Sequence, residues 1–205
     1  MVPRYWKQAT QELASCDEVM RQLIQRFDQA ALNSRGNAFI TLARSIVGQQ
    51  ISVKAAESVW QKLITTIPEI APHTIQVCED NLLRTCGLSQ RKVSYLKDCS
   101  HHFINGTLNE STWGEMNDEA LITQLIQVKG IGRWTAEMFL IFYMLRPNVL
   151  PLDDIGLQRA ISMHYNENQP VDKLAMRALA KTWQPWCSVA TWYLWRSLDP
   201  LPVEY

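Results

Sequence analysis

The segment Leu121–Arg159, LITQLIQVKGIGRWTAEMFLIFYMLRPNVLPLDDIGLQR, carries the most informative pattern in this chain of 205 residues. Its apolar residues recur at helical spacing on both sides of a short turn, Val128–Gly132, and the second apolar run is the stronger one. A loop bracketed by two prolines follows, and Asp153 and Asp154 then open a third helical pattern. The segment therefore predicts two helices joined by a tight turn, followed by a pair of carboxylates at a helix N-terminus.

The turn between the two helices has the features of an anion site. Gly130 and Gly132 permit positive φ and a close approach of the backbone, so free amides can point outward where the second helix begins. The helix dipole and Arg133 add positive charge, which favours phosphate as the anion. An ordinary turn between two helices, without a ligand, is the alternative on local sequence alone.

A second loop, Gly48–Ile51, lies between two further helical patterns. Gly48 ends an amphipathic helix, and Ser52 has the side chain expected at the N-cap of the next one. Gln50 and Ile51 are thereby placed at a projecting tip, where side chains can insert between stacked bases. The alternative is that Gln49 and Gln50 form hydrogen bonds with the loop backbone.

The rest of the chain shows helical spacing, with no alternation over four or more residues that would indicate a strand. Arg91, Lys92 and Lys97 form a basic patch on a predicted helix over Gln90–Phe103. These side chains either contact phosphate or simply face solvent. The fold is therefore predicted to be all-α.

The composition fits a protein with a substantial core, because 47% of the residues are hydrophobic. The formal net charge of +0 argues against a protein that coats nucleic acid non-specifically, but it permits local phosphate contacts. The five cysteines lack CxxC spacing and are predicted to be reduced thiols. With no export signal and no apolar run of about 20 residues, we expect a cytoplasmic protein without a membrane span.

Four stretches together resemble a known family: IVGQQISVKAA from Ile46, GIGRWTAEMF from Gly130, LPLDDIGLQR from Leu150 and WQPW from Trp183. They are similar to the helix-hairpin-helix (HhH-GPD) DNA glycosylase superfamily, and most of all to its 3-methyladenine DNA glycosylase II branch. The resemblance implies one two-lobed helical domain over residues 1–205, with the active-site cleft between the lobes. Lobe A would comprise about 1–35 plus 160–205, and lobe B about 36–159 with the helix-hairpin-helix at 118–143.

The resemblance identifies Asp154 as the catalytic carboxylate. Departure of a base leaves positive charge on the sugar, which a carboxylate in a water-poor site stabilises, and the same group can orient or deprotonate a water. The start of the helix predicted over Ile155–His164 favours the ionised form. Asp153 is the alternative, and a plain helix cap is the non-catalytic interpretation. Asp154 is favoured because it takes the family position when Leu157 and Arg159 are aligned behind it.

By the same resemblance, Trp134 and Trp186 line the pocket for a base flipped out of the duplex. Met138, one helical turn after Trp134, is expected to face this cavity. An alkylated purine is cationic, so an indole attracts it more strongly than a neutral base. We expect the remaining late tryptophans to be core residues, namely Trp183, Trp192 and Trp195.

The resemblance also assigns contacts with DNA. The hairpin would bind the backbone of the lesion strand through Arg133 and through the amides of Gly130, Ile131 and Gly132. The tip of the second loop would fill the gap left by the flipped nucleotide, with Gln50 at the family position and Ile51 beside it.

No cofactor is expected to be required. Main-chain carbonyls of Ile126, Val128 and Ile131 are expected to hold a structural cation, as the hairpins of related proteins often do. Some members of the superfamily bind an iron–sulfur cluster on four cysteines after the aspartate. Only Cys187 follows Asp154 in this chain, so no cluster is expected.

These assignments predict a monofunctional DNA glycosylase of base excision repair that hydrolyses the N-glycosidic bond of alkylated purines such as 3-methyladenine and 7-methylguanine. Lyase activity is not expected, because Trp134 stands where bifunctional relatives carry lysine. The expected partner is double-stranded DNA with alkylated bases, and the protein is expected to be a monomer. The alternatives are a same-fold glycosylase for deaminated or mismatched bases and a non-catalytic module that only binds DNA.

Overall fold

The computed structural model describes residues 2–34 and 36–198, and the regular structure in these ranges is helical. The prediction of an all-α fold is confirmed. The helices are α1 (Trp6–Cys16), α2 (Glu18–Arg26), α3 (Ala38–Gly48), α4 (Val53–Thr66), α5 (Pro72–Val77), α6 (Asp80–Thr85), α7 (Gln90–Ile104), α8 (Glu110–Trp113), α9 (Asp118–Leu125), α10 (Arg133–Phe142), α11 (Ile155–Tyr165), α12 (Lys173–Ala180) and α13 (Cys187–Leu198).

The chain divides into two compact units. The first comprises Met1–Arg35 and Leu140–Glu204, and the second comprises Gly36–Phe139. The family resemblance implied that lobe B ends at about residue 159. In the structure the second unit ends at Phe139, within α10, and the first unit resumes at Leu140. The proline-bracketed loop and the carboxylate pair therefore belong to the first unit.

Helix α13 is the centre of the first unit, because its residues are buried from Cys187 to Trp195. It packs against α1, α2 and α11. Aromatic rings fill the contact with α1, where Trp6 lies edge-on to Trp192 and stacks with Tyr193. This packing explains why α13 is buried all round from Cys187 to Trp195 rather than on one face.

Helix α7 has the corresponding role in the second unit and packs against α3, α5 and α6. Its buried residues recur at three- and four-residue steps, at Val93, Leu96, Cys99 and Ser100. Trp113 is fully buried and lies edge-on to Phe103 and Phe139, which links α7 to α10 within this unit.

Side-chain caps fix where several helices begin. Asp17, Ser52, Ser89 and Asn117 each accept a hydrogen bond from an amide in the first turn of α2, α4, α7 and α9. Each such cap contributes about 1 kcal/mol to stability. Within the described residues, no helix has the length and apolar character needed to span a bilayer.

Candidate active site

The hairpin between α9 and α10 depends on one of its two glycines. Gly130 has a φ of +83°, and a Cβ there would lie 2.2 Å from Cδ2 of Tyr95 on α7. Gly132 does not have a positive φ, and a Cβ at this position would meet nothing within 4 Å. Positive φ is thus found at Gly130 and not at Gly132, whose lack of a side chain leaves open space at the start of α10.

The hairpin amides are only partly available to a ligand. The Ile131 amide donates to the Val128 carbonyl at 3.0 Å, because the turn closes on itself at this point. The Lys129 amide donates to Asp98 at 2.8 Å. Across the described residues, the amides of Gly130 and Gly132 donate to no protein group. Both belong to exposed residues, so two amides rather than the three predicted ones are left without a protein acceptor.

Arg133 is held by two carboxylates of the same unit. Its guanidinium forms a bidentate pair with Glu119 on α9, with one bond of 2.9 Å, and its Nε donates to Glu137 at 3.0 Å. The bonds to Glu119, followed by the charge of Glu137, raise the pKa of Arg133 above its ordinary value. The side chain predicted to supply positive charge to a phosphate is thus largely neutralised, and it ties α9 to α10 instead.

The loop after α3 is attached to the hairpin. Gln49 Nε2 donates to the Gly130 carbonyl at 2.7 Å, across 81 residues of sequence. Gln50 is exposed with a φ of +57°, a left-handed backbone conformation, and Ile51 is 41% exposed. Of the two glutamines, Gln49 therefore forms a backbone hydrogen bond, while Gln50 and Ile51 project beyond it.

The basic patch on α7 is mostly engaged within the protein. Lys92 Nζ donates to the Val47 carbonyl at 2.7 Å near the C-terminus of α3, and desolvation lowers its pKa. Lys97 forms an ion pair of 2.8 Å with Asp80. Arg91 is exposed. Two of the three cations thus have partners within the protein, an arrangement that neither the phosphate nor the solvent alternative predicted.

Asp154 is the N-cap of α11 and is only 6% exposed. Its Oδ1 accepts from the Leu157 amide at 2.6 Å and from Trp195 Nε1 at 2.8 Å. Asp153, by contrast, is exposed and pairs with Lys173. The two adjacent carboxylates therefore lie in different environments, and only Asp154 is buried among oriented donors.

Sequence reasoning missed two residues around this carboxylate. Trp195 is buried as expected, yet its indole N–H donates to Asp154 rather than serving packing alone. Its ring stacks on Phe142 at 5.8 Å and 13°. Gly156 makes room for the pair, since a Cβ there would lie 3.1 Å from Asp154 Oδ1 and 3.2 Å from Trp195 Cδ1. The glycine at position 156, two residues after Asp154, was the sequence signal that another side chain approaches the backbone closely here.

The predicted pocket residues are distributed over both units. Trp134 is half-buried in the first turn of α10, and Met138 is buried one turn later. Both belong to the second unit, whereas Trp186 and Asp154 belong to the first. Trp186 is half-buried just before α13.

Trp186 has two partners in the N-terminal part of its unit. The ring of Tyr5 stacks on the indole with centroids 5.5 Å apart and planes inclined by 25°. Glu12 Oε2 accepts from the indole Nε1 at 2.6 Å. These contacts span more than 170 residues of sequence and were not predicted.

Within the described ranges, no group of three or more His, Cys, Asp or Glu residues is arranged to hold a metal ion. The predicted cation ligands are main-chain carbonyls. In the described turn, the Val128 carbonyl accepts from the Ile131 amide, while the carbonyls of Ile126 and Ile131 accept no backbone hydrogen bond. Two of the three carbonyls thus retain the lone pairs that a hard cation prefers.

Comparison with known proteins decides the family. Residues 43–185 match the HhH-GPD superfamily, described as base excision DNA repair proteins, and this range contains Gln50, the hairpin and Asp154. The chain belongs to this superfamily. The resemblance drawn from the four sequence stretches is therefore confirmed.

Relatives of this HhH-GPD protein include a putative DNA-3-methyladenine glycosylase of Bacillus subtilis, which is 35% identical over 166 residues. The alignment covers 77% of this chain but only 58% of that relative's length. The crystal structure of a DNA-3-methyladenine glycosidase from Bacillus halodurans has a TM-score of 0.81 and 31% identity, with 95% of this chain and 92% of that chain covered.

A second solved structure is the 3-methyladenine DNA glycosylase of Schizosaccharomyces pombe in complex with abasic DNA. It has a TM-score of 0.78 and 27% identity, and the match covers 97% of this chain and all of that chain. The HhH-GPD protein thus has the fold of an enzyme that has been captured on DNA lacking a base.

Proposed function

We propose that this HhH-GPD protein is a monofunctional DNA glycosylase that removes alkylated purines, such as 3-methyladenine and 7-methylguanine, from double-stranded DNA. The observation that carries the proposal is Asp154, a buried carboxylate held by the Leu157 amide and the Trp195 indole. The relatives named as 3-methyladenine glycosylases supply the class of substrate.

The environment of Asp154 suits stabilisation of a cationic sugar. Both donors bind the same oxygen and fix the orientation of the carboxylate before the substrate arrives. Preorganised charge in a site of low water content acts more strongly than charge in bulk solvent, because little reorganisation is needed as the reaction proceeds. The carboxylate would face the sugar as positive charge develops, and it could orient the attacking water.

Trp134 and Trp186 would receive the base after it leaves the stack. Flipping costs a few kcal/mol and is cheapest where pairing is already weak. A purine methylated at a ring nitrogen carries positive charge, and an indole attracts such a cation by about 0.5–2 kcal/mol. Trp134 also bears on the reaction type, because tryptophan has no amine that can form a Schiff base with the sugar. We therefore propose hydrolysis without strand cleavage.

The hairpin would contact the DNA backbone through the exposed amides of Gly130 and Gly132 at the N-terminus of α10. Gln50 and Ile51, which project from the loop joined to that hairpin, are proposed to fill the space left by the base. A structural cation would be held by the carbonyls of Ile126, Val128 and Ile131, where it would stiffen the turn without taking part in the reaction.

Base release from defined duplexes tests this proposal. Purified protein is incubated with duplexes containing 7-methylguanine, 3-methyladenine, ethenoadenine or uracil, and the released bases are separated by chromatography. We expect release of the methylated purines and an intact DNA strand until alkali is added. Release of uracil alone would indicate a glycosylase for deaminated bases, and strand cleavage without alkali would contradict the monofunctional mechanism.

A further inference from the structure

The carboxylate beside Trp186 is fixed at both of its oxygens. Glu12 Oε2 accepts from the Trp186 indole at 2.6 Å, and Oε1 accepts from Gln8 Nε2 at 2.8 Å. Gln8 lies one turn before Glu12 on α1, so both belong to the same helix face. The bond from Trp186, and then the bond from Gln8, hold the pKa of Glu12 below its ordinary value of 4.5. Glu12 is therefore an oriented anion at neutral pH.

Tyr5, the second partner of the Trp186 indole, is also fixed in position. Tyr5 is the N-cap of α1, and its ring covers one face of Trp186. Its hydroxyl donates to the Leu145 carbonyl at 2.7 Å, and burial raises the pKa of the phenol to about 12. The hydroxyl thus remains a donor through the physiological range. Trp186 keeps part of its surface exposed although it is held from two sides.

We propose that Glu12 is a specificity-determining residue that makes Trp186 selective for positively charged bases, with Tyr5 holding the indole in place. A carboxylate that accepts from an indole N–H polarises the ring and makes its face more negative. A cation attracted to that face also experiences the carboxylate, which lies 2.6 Å from the indole nitrogen at the edge of the ring. The inference rests on the proposed function, in which Trp186 contacts the flipped base.

The arrangement affects cationic and neutral bases differently. A neutral base stacks on an indole through dispersion and burial, which the charge of Glu12 hardly alters. A methylated purine also experiences the field of the ring and of the carboxylate. Because Glu12 is exposed, water and salt screen this field, so we expect an effect of several-fold rather than of orders of magnitude.

Glu12→Gln isolates the charge, because the amide oxygen can still accept from Trp186. Glu115→Gln is the matched control, since it removes a carboxylate from an exposed position of the other unit. Binding is measured with duplexes that carry a 2′-fluoro nucleotide, which prevents base release, with either 7-methylguanine or guanine as the base. The quantity of interest is the ratio of the two affinities for each protein.

We expect the wild type and Glu115→Gln to prefer the methylated duplex equally, and Glu12→Gln to lose about 3- to 10-fold of that preference. An affinity ratio in Glu12→Gln equal to that of the wild type would overturn the inference. If the ratio is unchanged but both duplexes bind more weakly, the role of Glu12 is purely structural. A wild type that prefers the methylated duplex but releases no base from the natural nucleotide would refute the glycosylase, while the affinity ratio would still decide the role of Glu12.

Tyr5 provides an independent check through the conservative variant. Tyr5→Phe keeps the ring and removes the bond to Leu145, whereas Tyr5→Leu removes the stacking partner. We expect Tyr5→Phe to retain at least half of the wild-type preference for 7-methylguanine. We expect the preference of Tyr5→Leu to be several-fold lower than that of the wild type. Thermal unfolding of both variants, compared with the wild type, identifies any general loss of structure. Equal preferences in both variants, at equal stability, would overturn the positioning role of Tyr5.

Discussion

Gly156→Ala tests whether the position of Asp154 matters as much as its charge. A methyl group at this site would lie 3.1 Å from Asp154 Oδ1 and 3.2 Å from Trp195 Cδ1. Both distances are shorter than ordinary van der Waals contact. Trp195 is confined by its stacking on Phe142, so the carboxylate and the indole cannot move apart freely. We therefore expect Asp154 to shift by a few tenths of an ångström.

The magnitude follows from two opposing effects. Overpacking typically costs about 1–3 kcal/mol. Gly156 is the second residue of α11, so alanine gains less there than the about 1 kcal/mol that separates it from glycine in a helix interior, and this gain offsets only part of the cost. Stability should therefore fall by at most about 3 kcal/mol. Catalysis is more sensitive to position, because a misplacement of about 1 Å can cost about 100-fold in rate. A shift of a few tenths of an ångström should lower the rate of base release by about 3- to 10-fold.

The assay is single-turnover release of 7-methylguanine, with urea unfolding measured on the same samples. Gly114→Ala is the control, because a Cβ at Gly114 meets nothing within 4 Å and the residue lies outside the site. We expect the control to release base at the wild-type rate. A wild-type rate in Gly156→Ala would refute the argument that Gly156 keeps Asp154 and Trp195 in position.

Two further predictions concern the hairpin. Gly130→Ala should unfold at a clearly lower urea concentration than the wild type, because the new methyl group would overlap the Tyr95 ring. Gly132→Ala should keep the stability of the wild type, because its methyl group meets no protein atom, but it should lose affinity for abasic DNA. Equal stability in the two variants would contradict this assignment. Burial alone would raise the pKa of Asp98, but the hydrogen bonds from Lys129 and its charge lower this pKa below the ordinary value of 3.8. The stabilisation by Asp98 should therefore be complete above the unfolded pKa and should be lost as pH falls through the depressed folded-state pKa. Urea unfolding of the wild type and Asp98→Asn should thus differ near neutral pH and converge in acid, and a constant difference would count against it.

The local features of the fold followed from the sequence because they depend on neighbouring residues. Ser52 caps α4 as predicted, since an N-cap interacts with amides only three residues away. Gly130 has the positive φ that the turn required. Asp154 occupies the predicted start of α11, where a four-residue turn decides its backbone environment.

Long-range partners could not be predicted in the same way. Trp195 reaches Asp154 across 41 residues, and Glu12 reaches Trp186 across 174. No spacing rule connects such positions, because the packing of α1, α11 and α13 brings them together. Arg133 illustrates a partial failure: Glu137 at the i+4 position was an available signal, whereas the pairing with Glu119 depends on the geometry of the hairpin.

The most direct test of the central claim is base release by Asp154→Asn. Asparagine caps helices about as well as aspartate, and its carbonyl oxygen can still accept from Leu157 and Trp195, so the substitution removes the charge and little else. In single-turnover assays on a 7-methylguanine duplex, we expect release to fall by at least 100-fold while affinity for abasic DNA stays within about threefold. Release at the wild-type rate, with the fold intact, would contradict the assignment of Asp154 as the carboxylate that stabilises the sugar.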